Sequence, residues 1–217
     1  MIDSRMSAVM NFVREGSRVA DIGADHGYLA IELIKSGRAS KVIATEKNIG
    51  PFEILRKNIF DSGFENFIEV RLGDGLKILS AGEVDTICIA GMGGALIAKI
   101  LDDAPEVVQT ARQVIVQPMN AAKKIRDRFA ENNWTIADED LAESTGIIYE
   151  IICAEKNPPR KIFKRESSPL LKKFLTQRLK KLQRVLNEMS KSESARTSEK
   201  FFATLAEVDN LQKKISP

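Results

Sequence analysis

An acidic segment that contains two glycines, Asp21-Ile22-Gly23-Ala24-Asp25-His26-Gly27, follows a short apolar run near the start of the chain. Glycines at a strand-to-helix turn let the backbone approach a ligand closely. In dinucleotide enzymes such a turn binds a pyrophosphate at the helix N-terminus. Asp21 and Asp25 would repel phosphate and suit a ligand with positive charge. The segment therefore favours S-adenosylmethionine (SAM), which has an ammonium and a sulfonium group, over NAD or ATP.

Two more acids follow apolar runs further along the chain. Glu46 ends the second run and could accept both ribose hydroxyls of a nucleotide, a device that NAD enzymes share. Asp74, between Gly73 and Gly75, could accept from an adenine amino group, although Gly-Asp-Gly is also ordinary turn chemistry. Because successive parallel strands end at the same edge of a sheet, we expect these acids and Asp21 to converge on one crevice.

The fourth apolar run ends in Ala90-Gly91-Met92-Gly93-Gly94, where the glycines would allow close approach by a cofactor or a target base. The alternative is that they serve the packing of the following helix. With the neighbouring positions included, the predicted cofactor contacts are Asp21, Gly23, Asp25, Gly27, Tyr28, Glu46, Lys47, Gly73, Asp74, Gly75, Ala90, Gly91, Met92 and Gly93.

The elements that must hold these residues are short apolar runs that alternate with helical patterns, which predicts βαβ units and a mostly parallel sheet. Strands are predicted at 18–22, 41–45, 67–72, 84–90, 113–117, 134–143 and 147–154, and helices at 4–14, 26–35, 51–62, 95–101 and 121–131. No helix separates the last two strands, so they should form an antiparallel hairpin at one edge. The predicted fold is α/β and Rossmann-like, with a seven-stranded sheet of the SAM methyltransferase type.

A change of composition near Asn157-Pro158-Pro159-Arg160 predicts a boundary between a SAM-binding methyltransferase domain, residues 1–156, and a tail, residues 160–217. Leucines spaced three and four apart in the tail predict an antiparallel helical hairpin of coiled-coil type. The tail holds 15 of the 33 basic residues and 6 of the 30 acidic residues. Its charge suggests RNA as a partner, although a solvated helix face is the alternative. The predicted RNA contacts are Lys172, Lys173, Arg178, Lys180, Lys181 and Arg184 of the tail, and Arg5 of the first helix.

Other features narrow the class of protein. No apolar run approaches the roughly 20 residues of a membrane span, and the first residues lack the pattern of a signal peptide. Cys88 and Cys153 lie in apolar runs, so we interpret them as buried hydrophobes of a cytoplasmic protein. With one histidine and two separated cysteines, no metal site is expected.

Four segments resemble the bacterial tRNA (adenine(22)-N1)-methyltransferase family, often called TrmK. They are Val19 to His26, Asp85 to Gly94, Gln117-Pro118, and Gly146 to Ile151. The resemblance covers most of residues 1–156 and, more loosely, the tail. It implies methyl transfer from SAM to N1 of adenine 22 in the tRNA D-arm. The alternatives are a methyltransferase that acts on another RNA site or a small molecule, and a non-catalytic SAM-binding regulator.

The implied chemistry needs alignment more than a strong base. Adenine N1 has a free lone pair that can attack the methyl group directly, and the product is cationic. Asp25 is the candidate for stabilising that charge or accepting a proton from the amino group, and the adjacent His26 is the candidate for orienting it. Asp25 could instead only bind the cofactor, and His26 could be a structural residue of the helix start. A paired adenine must leave its stack before attack.

Overall fold

The structure is a computed structural model, and it describes residues 2–156, Pro158 and residues 164–215. The chain divides into two compact units, Met1–Arg165 and Glu166–Pro217. Apart from Pro158, the predicted boundary at 157–160 lies outside the described residues.

The first unit is built on a seven-stranded sheet in the order β3-β2-β1-β4-β5-β7-β6. Its strands are β1 (Ser17–Ile22), β2 (Ala39–Glu46), β3 (Ile68–Leu72), β4 (Thr86–Met92), β5 (Gln113–Pro118), β6 (Thr135–Ser144) and β7 (Ile147–Glu155). The first five pair in parallel, whereas β7 runs antiparallel to both β5 and β6. The predicted Rossmann-like methyltransferase sheet with an antiparallel edge hairpin is therefore confirmed.

Helices cover both faces of this sheet. They are α1 (Ser4–Phe12), α2 (Tyr28–Lys35), α3 (Ile49–Ser62), α4 (Gly94–Asp102), α5 (Pro105–Thr110) and α6 (Ala122–Glu131), with a 3-10 turn at Gly75–Ile78. Side chains of α1, α2 and α3 form one apolar core with one face of the sheet, and side chains of α4, α5 and α6 form a second core with the other. Because both faces are covered, β1 is buried along nearly its whole length and reads as a continuous apolar run.

Two element boundaries near the acidic segment differ from the sequence predictions. Helix α2 begins at Tyr28 instead of His26, because Gly27 adopts φ +74° and closes a turn in which its N–H donates to the Ala24 carbonyl at 2.8 Å. Strand β4 starts and ends two residues later than predicted, and Gly91 interrupts its register with φ +74°. Helix α5 was not predicted, since six residues are too few to show a clear period.

The second unit is helical. After α7 (Lys164–Ser167) come α8 (Leu171–Met189), α9 (Glu193–Arg196) and α10 (Glu199–Ile215). Helices α8 and α10 pack as the predicted antiparallel pair, with Phe174, Val208 and Leu211 buried and Arg178 Nε donating to Glu207 at 2.8 Å. The short helix α9 lies where the sequence predicted only a turn. Among the described helices, none is both long and apolar enough to cross a membrane.

Candidate active site

A cavity of about 780 Å³ opens where β1, β2, β3 and β4 end. Most of the predicted site residues line it, namely Arg5, Asp21, Gly23, Asp25, His26, Tyr28, Glu46, Lys47, Gly73, Asp74, Gly75, Ala90, Gly91 and Met92. The parallel sheet brings these residues together from four separate strand ends, as a doubly wound topology requires.

Asp21 is the most deeply buried charged group of the cavity wall. Its side chain is 4 % exposed, and within the described residues its Oδ2 makes no hydrogen bond. The pKa of this carboxyl is raised to about 7, chiefly because burial disfavours the charged form; a hydrogen bond with the Ala30 backbone lowers it by less, and the nearby Glu46 raises it. Oδ2 of ionised Asp21 thus lacks a partner, and a cation in the cavity would supply one.

The loop after β1 is fastened to the end of β2. The backbone N–H groups of Gly23 and Ala24 both donate to the Thr45 carbonyl at 3.0 Å. The Glu46 carboxylate accepts from the backbone N–H of Asp25 at 3.2 Å and of Lys47 at 3.0 Å. One carboxylate therefore fixes the turn at Asp25 and still lines the cavity, where it has lone pairs left for a ligand.

Gly23 adopts a conformation that favours glycine. Its φ is +70°, and the tip of the Met92 side chain occupies the space beside it, since a Cβ atom at this position would lie 2.2 Å from Met92 Cε. The absence of a side chain lets Met92 cross from the end of β4 to the end of β1, and both residues then line the cavity.

Asp25 and His26 stand at the exposed side of the cavity. Asp25 adopts φ +51°, and its side chain is 71 % exposed. His26 Nε2 lies 3.8 Å from Asp25 Oδ2, and the imidazole stacks on the Tyr28 ring with centroids 5.4 Å apart. The His26 carbonyl accepts from Asn58 Nδ2 at 3.0 Å, which holds the backbone of this turn. The predicted pair is thus adjacent, but its separation is longer than a hydrogen bond.

Asp74 is anchored by two lysines. Lys47 Nζ lies 3.0 Å from Asp74 Oδ1, and Lys77 Nζ lies 3.1 Å from Asp74 Oδ2. Hydrogen bonds from Lys47 and then Lys77 lower the pKa of this exposed carboxyl. Asp74 keeps its predicted place at the cavity as an ionised group, although lysines already occupy part of its acceptor capacity.

Two predicted glycines do not line the cavity. A Cβ atom on Gly27 would lie 2.6 Å from the Leu55 side chain, so this glycine admits close packing of α3. Gly93 precedes α4, and a Cβ atom added to it would lie 3.5 Å from Asn120 Oδ1. The structure therefore agrees with helix packing, the alternative noted for such glycines.

The start of the chain also reaches the cavity, which the strand-end reasoning missed; Arg5, predicted as an RNA contact, lies there as well. Ile2, Asp3 and Met6 line it, and Asp3 caps α1 by accepting from the Met6 N–H at 2.8 Å. The only sequence signal was an N-cap residue before a helix, and a cap does not reveal what the helix covers.

The predicted RNA contacts of the second unit lie on α8. Lys172, Lys173, Lys180, Lys181 and Arg184 are exposed, whereas Arg178 is half-buried and paired with Glu207. Helix α8 thus presents a basic surface. Arg178 differs from the other five side chains because it is paired with Glu207.

The sequence also has relatives among known proteins. Residues 2–152 match the family model of a methyltransferase domain. The tRNA (adenine(22)-N(1))-methyltransferase of Bacillus subtilis (strain 168) is 38% identical over 154 residues, which cover 71% of this chain. The matched part spans 65% of that relative's length.

Solved structures match over greater lengths. The B. subtilis M1A22 tRNA methyltransferase TrmK is similar with a TM-score of 0.86 and 29% identity, and the match covers 100% of this chain and 99% of that one. The Sp1610 protein of Streptococcus pneumoniae, in complex with S-adenosyl-L-methionine, has a TM-score of 0.86 and 29% identity with all of both chains covered.

Proposed function

This chain belongs to the methyltransferase-domain family, and from that premise we propose that it transfers a methyl group from SAM to N1 of adenine 22 in tRNA. The observation that carries the proposal is the match, over the whole chain and including the C-terminal helices, to a tRNA methyltransferase that modifies this position. The matched Sp1610 structure with bound SAM supports the cofactor.

The residues of the cavity fit SAM. The buried Asp21 oxygen without a partner suits the ammonium group, and Glu46 suits the ribose hydroxyls. Gly73, Asp74 and Gly75 follow β3, where an adenine ring would be bound. Bound SAM supplies an electrophilic methyl group on its sulfonium. Gly91 and Met92 line the cavity at the end of β4.

Asp25 and His26 are the proposed catalytic residues. Adenine N1 attacks with its own lone pair, so the protein need not remove a proton first. As positive charge develops on the adenine, the exposed Asp25 carboxylate stabilises it or accepts a hydrogen bond from the amino group. His26, 3.8 Å away and stacked on Tyr28, limits the positions that this carboxylate can take.

The basic surface of α8 is the proposed tRNA contact. We assign methyl transfer to residues 1–156 and RNA binding to residues 160–217 together with Arg5, and we place the enzyme in the cytoplasm. Phosphate contacts of this kind carry no sequence information, so they position the RNA while the cavity selects the base. Adenine 22 must leave its stack to reach the cavity.

The test is incubation of the full chain with labelled SAM and unmodified tRNA, followed by mapping of the methylated nucleoside. We expect 1-methyladenosine at position 22 and no incorporation into a tRNA with guanosine there. N6-methyladenosine, a methylated guanosine or no incorporation would contradict the proposal.

The RNA role of α8 is tested separately. Replacing Lys180, Lys181 and Arg184 by Gln should weaken tRNA binding and flatten the plot of log affinity against log salt by about 2–3 units. SAM affinity should not change. Lys213 and Lys214 lie in the same unit, on α10, but are not among the predicted RNA contacts, so their replacement by Gln is the matched control. An unchanged salt slope in the α8 variant would leave a small molecule as the better substrate class.

A further inference from the structure

Arg5 is held in a defined position at the edge of the cavity. Its Nη1 donates to Gln117 Oε1 at 3.3 Å and lies 3.9 Å from Met119 Sδ, and its guanidinium lies 5.3 Å from the centroid of the Tyr149 ring. The side chain is 22 % exposed and lines the cavity. Such a side chain has lost most of its rotamer freedom before any ligand arrives.

Arg5 nevertheless keeps unused donors. Within the part of the chain that the structure describes, neither its Nε nor its Nη2 makes a hydrogen bond. Asp3 Oδ2 lies 3.4 Å from Nε, but Oδ1 of Asp3 accepts from the Met6 N–H and Oδ2 accepts from Ser144 Oγ at 3.2 Å. The carboxylate is thus shared, and the arginine can bind a second anion.

Gln117 connects Arg5 to the cavity wall. It is fully buried, and its Oε1 accepts from both Arg5 Nη1 and the backbone N–H of Gly91, the latter at 3.1 Å. Gly91 lines the cavity at the end of β4. Because one oxygen accepts both donors, Gln117 sets the distance between the guanidinium and the wall.

The other charges of the cavity point to where a phosphate can bind. Asp21, Asp25 and Glu46 repel it from the loop after β1 and from the end of β2. Among the described residues that line the cavity, the Lys and Arg side chains are Arg5 and Lys47. Lys47 follows Glu46 at the end of β2 and pairs with Asp74 at 3.0 Å, so it lies among the acids that repel phosphate. Arg5 pairs with Asp3 at 3.4 Å but lies beside Gln117 and Tyr149, and its Nη2 makes no hydrogen bond within the described residues.

We propose that Arg5 binds a phosphodiester next to the target adenosine, and that Gln117 is the positioning residue that holds Arg5 for this contact. The inference rests on the proposed function, since it needs an RNA substrate. Arg5 Nη2, which makes no hydrogen bond within the described residues, can donate a charge-assisted hydrogen bond to a phosphate oxygen, whereas the buried Nε stays beside Asp3. When the adenine leaves its stack, its flanking phosphates come to the cavity mouth, and Arg5 fixes their position.

The first test is kinetic. Arg5→Gln should lower kcat/KM for tRNA about 10- to 100-fold, the loss typical of a charge-assisted hydrogen bond, with SAM affinity unchanged. Arg5→Lys keeps the positive charge but not the planar guanidinium. Its kcat/KM for tRNA should lie between the values of the wild type and of Arg5→Gln. Arg18→Gln is the matched control, because Arg18 lies at the start of β1 and pairs with Asp85. Equal loss of SAM and tRNA affinity, or no loss in Arg5→Gln, would overturn the assignment.

The second test identifies the phosphate. The linkages on the 5′ and 3′ sides of adenosine 22 are replaced in turn by a neutral methylphosphonate in an otherwise unmodified tRNA. One of the two methylphosphonate substitutions should lower kcat/KM of the wild-type protein as much as Arg5→Gln lowers it on unmodified tRNA. On that modified tRNA, Arg5→Gln should show little further loss. Additive losses at both linkages would refute the contact. Failure of the proposed function can be told apart from failure of the Arg5 contact, because the wild-type protein would then not methylate even the unmodified tRNA.

Gln117 is tested through its coupling to Arg5. Gln117→Met removes the acceptor at similar volume, and it should lower kcat/KM for tRNA without adding to the loss in Arg5→Gln. Additive losses would show that Gln117 acts independently and would overturn its positioning role. Thermal unfolding reports whether the variant is folded. If Gln117→Met is not folded, Gln117→Glu is used instead, because it keeps an acceptor for both N–H groups. Its effect on kcat/KM should again not add to the loss in Arg5→Gln.

Discussion

The buried Asp21 carboxyl should make SAM binding depend on pH below neutrality. Without cofactor its pKa is about 7, chiefly because burial disfavours the charged form. An ammonium group favours the ionised form, so SAM should bind ionised Asp21 and release the proton that the free protein carries. Affinity should therefore rise as the pH rises toward 7.

The size of the effect follows from the pKa. With a pKa of about 7, the ionised fraction of Asp21 in the free protein is about 3% at pH 5.5 and about half at pH 7. If only the ionised form binds, SAM affinity increases about 15-fold over this interval. About one proton per SAM should be released at pH 5.5, and about half a proton at pH 7.

Isothermal titration calorimetry in buffers of different ionisation enthalpy measures both quantities at once. Three controls isolate Asp21. Asp21→Asn should bind SAM more weakly and with a flat pH profile. 5′-Methylthioadenosine lacks the ammonium group and should also give a flat profile. His26 lines the same cavity, so the third control is His26→Gln, which should keep the slope if Asp21 causes it.

A SAM affinity that does not change between pH 5.5 and 7 would refute the reasoning. So would an equal slope for 5′-methylthioadenosine, because the proton would then be linked to another part of the ligand. Retention of the slope in Asp21→Asn would assign the titration to a different group.

Three further predictions concern the same loop. Asp21→Asn should stabilise the cofactor-free protein at pH 8 by about 2–4 kcal/mol but not at pH 4. The reason is that a carboxyl with a raised pKa lowers the stability of the native state as the pH rises from about 4 to 7. Urea unfolding at both pH values measures the difference. Gly27→Ala should lower the free energy of unfolding by about 1–3 kcal/mol, because φ is +74° and Leu55 lies 2.6 Å from the new Cβ. SAM affinity of the folded protein should be unchanged. A selective loss of SAM binding would contradict the packing role. Asp25→Asn should lower kcat about 10- to 100-fold with SAM affinity retained, and equal losses in a paired kinetic and binding assay would make Asp25 a cofactor ligand.

The acids at the strand ends could be found from sequence because their positions depend on one regular feature. Asp21, Glu46 and Asp74 each follow an apolar run, and parallel strands end at a common edge, so convergence needs no knowledge of side-chain packing. The order of the strands then places Gly91 beside the end of β1. These inferences use only the alternation of elements, which is the strongest signal in a single sequence.

The roles of Arg5, Gln117 and Gly27 could not be predicted in the same way. Arg5 reaches the cavity because α1 packs against the β6 and β7 hairpin, where Ser144 bonds Asp3 across 141 residues of sequence. Gln117 is fully buried and supports the cavity wall through its bonds to Arg5 and Gly91. Gly27 resembles a ligand-binding glycine, yet the neighbour that requires it is Leu55 of α3. Each role depends on a tertiary contact that no local period encodes.

The distribution of charge around the cavity fits the proposed binding of a cation and a polyanion at one site. Asp21 lies near the end of β1, Asp25 in the loop after it and Glu46 at the end of β2, where they would attract a cationic cofactor and repel phosphate. Arg5 lies on α1, tied to β5 through Gln117, where it attracts phosphate. The transferred methyl group carries positive charge from the cofactor to the base, so the carboxylates stabilise the cation before and after transfer. A uniformly basic cavity would bind RNA more tightly but would oppose both the cofactor and the cationic product. Separation of the two charge types is therefore what the reaction requires of this fold.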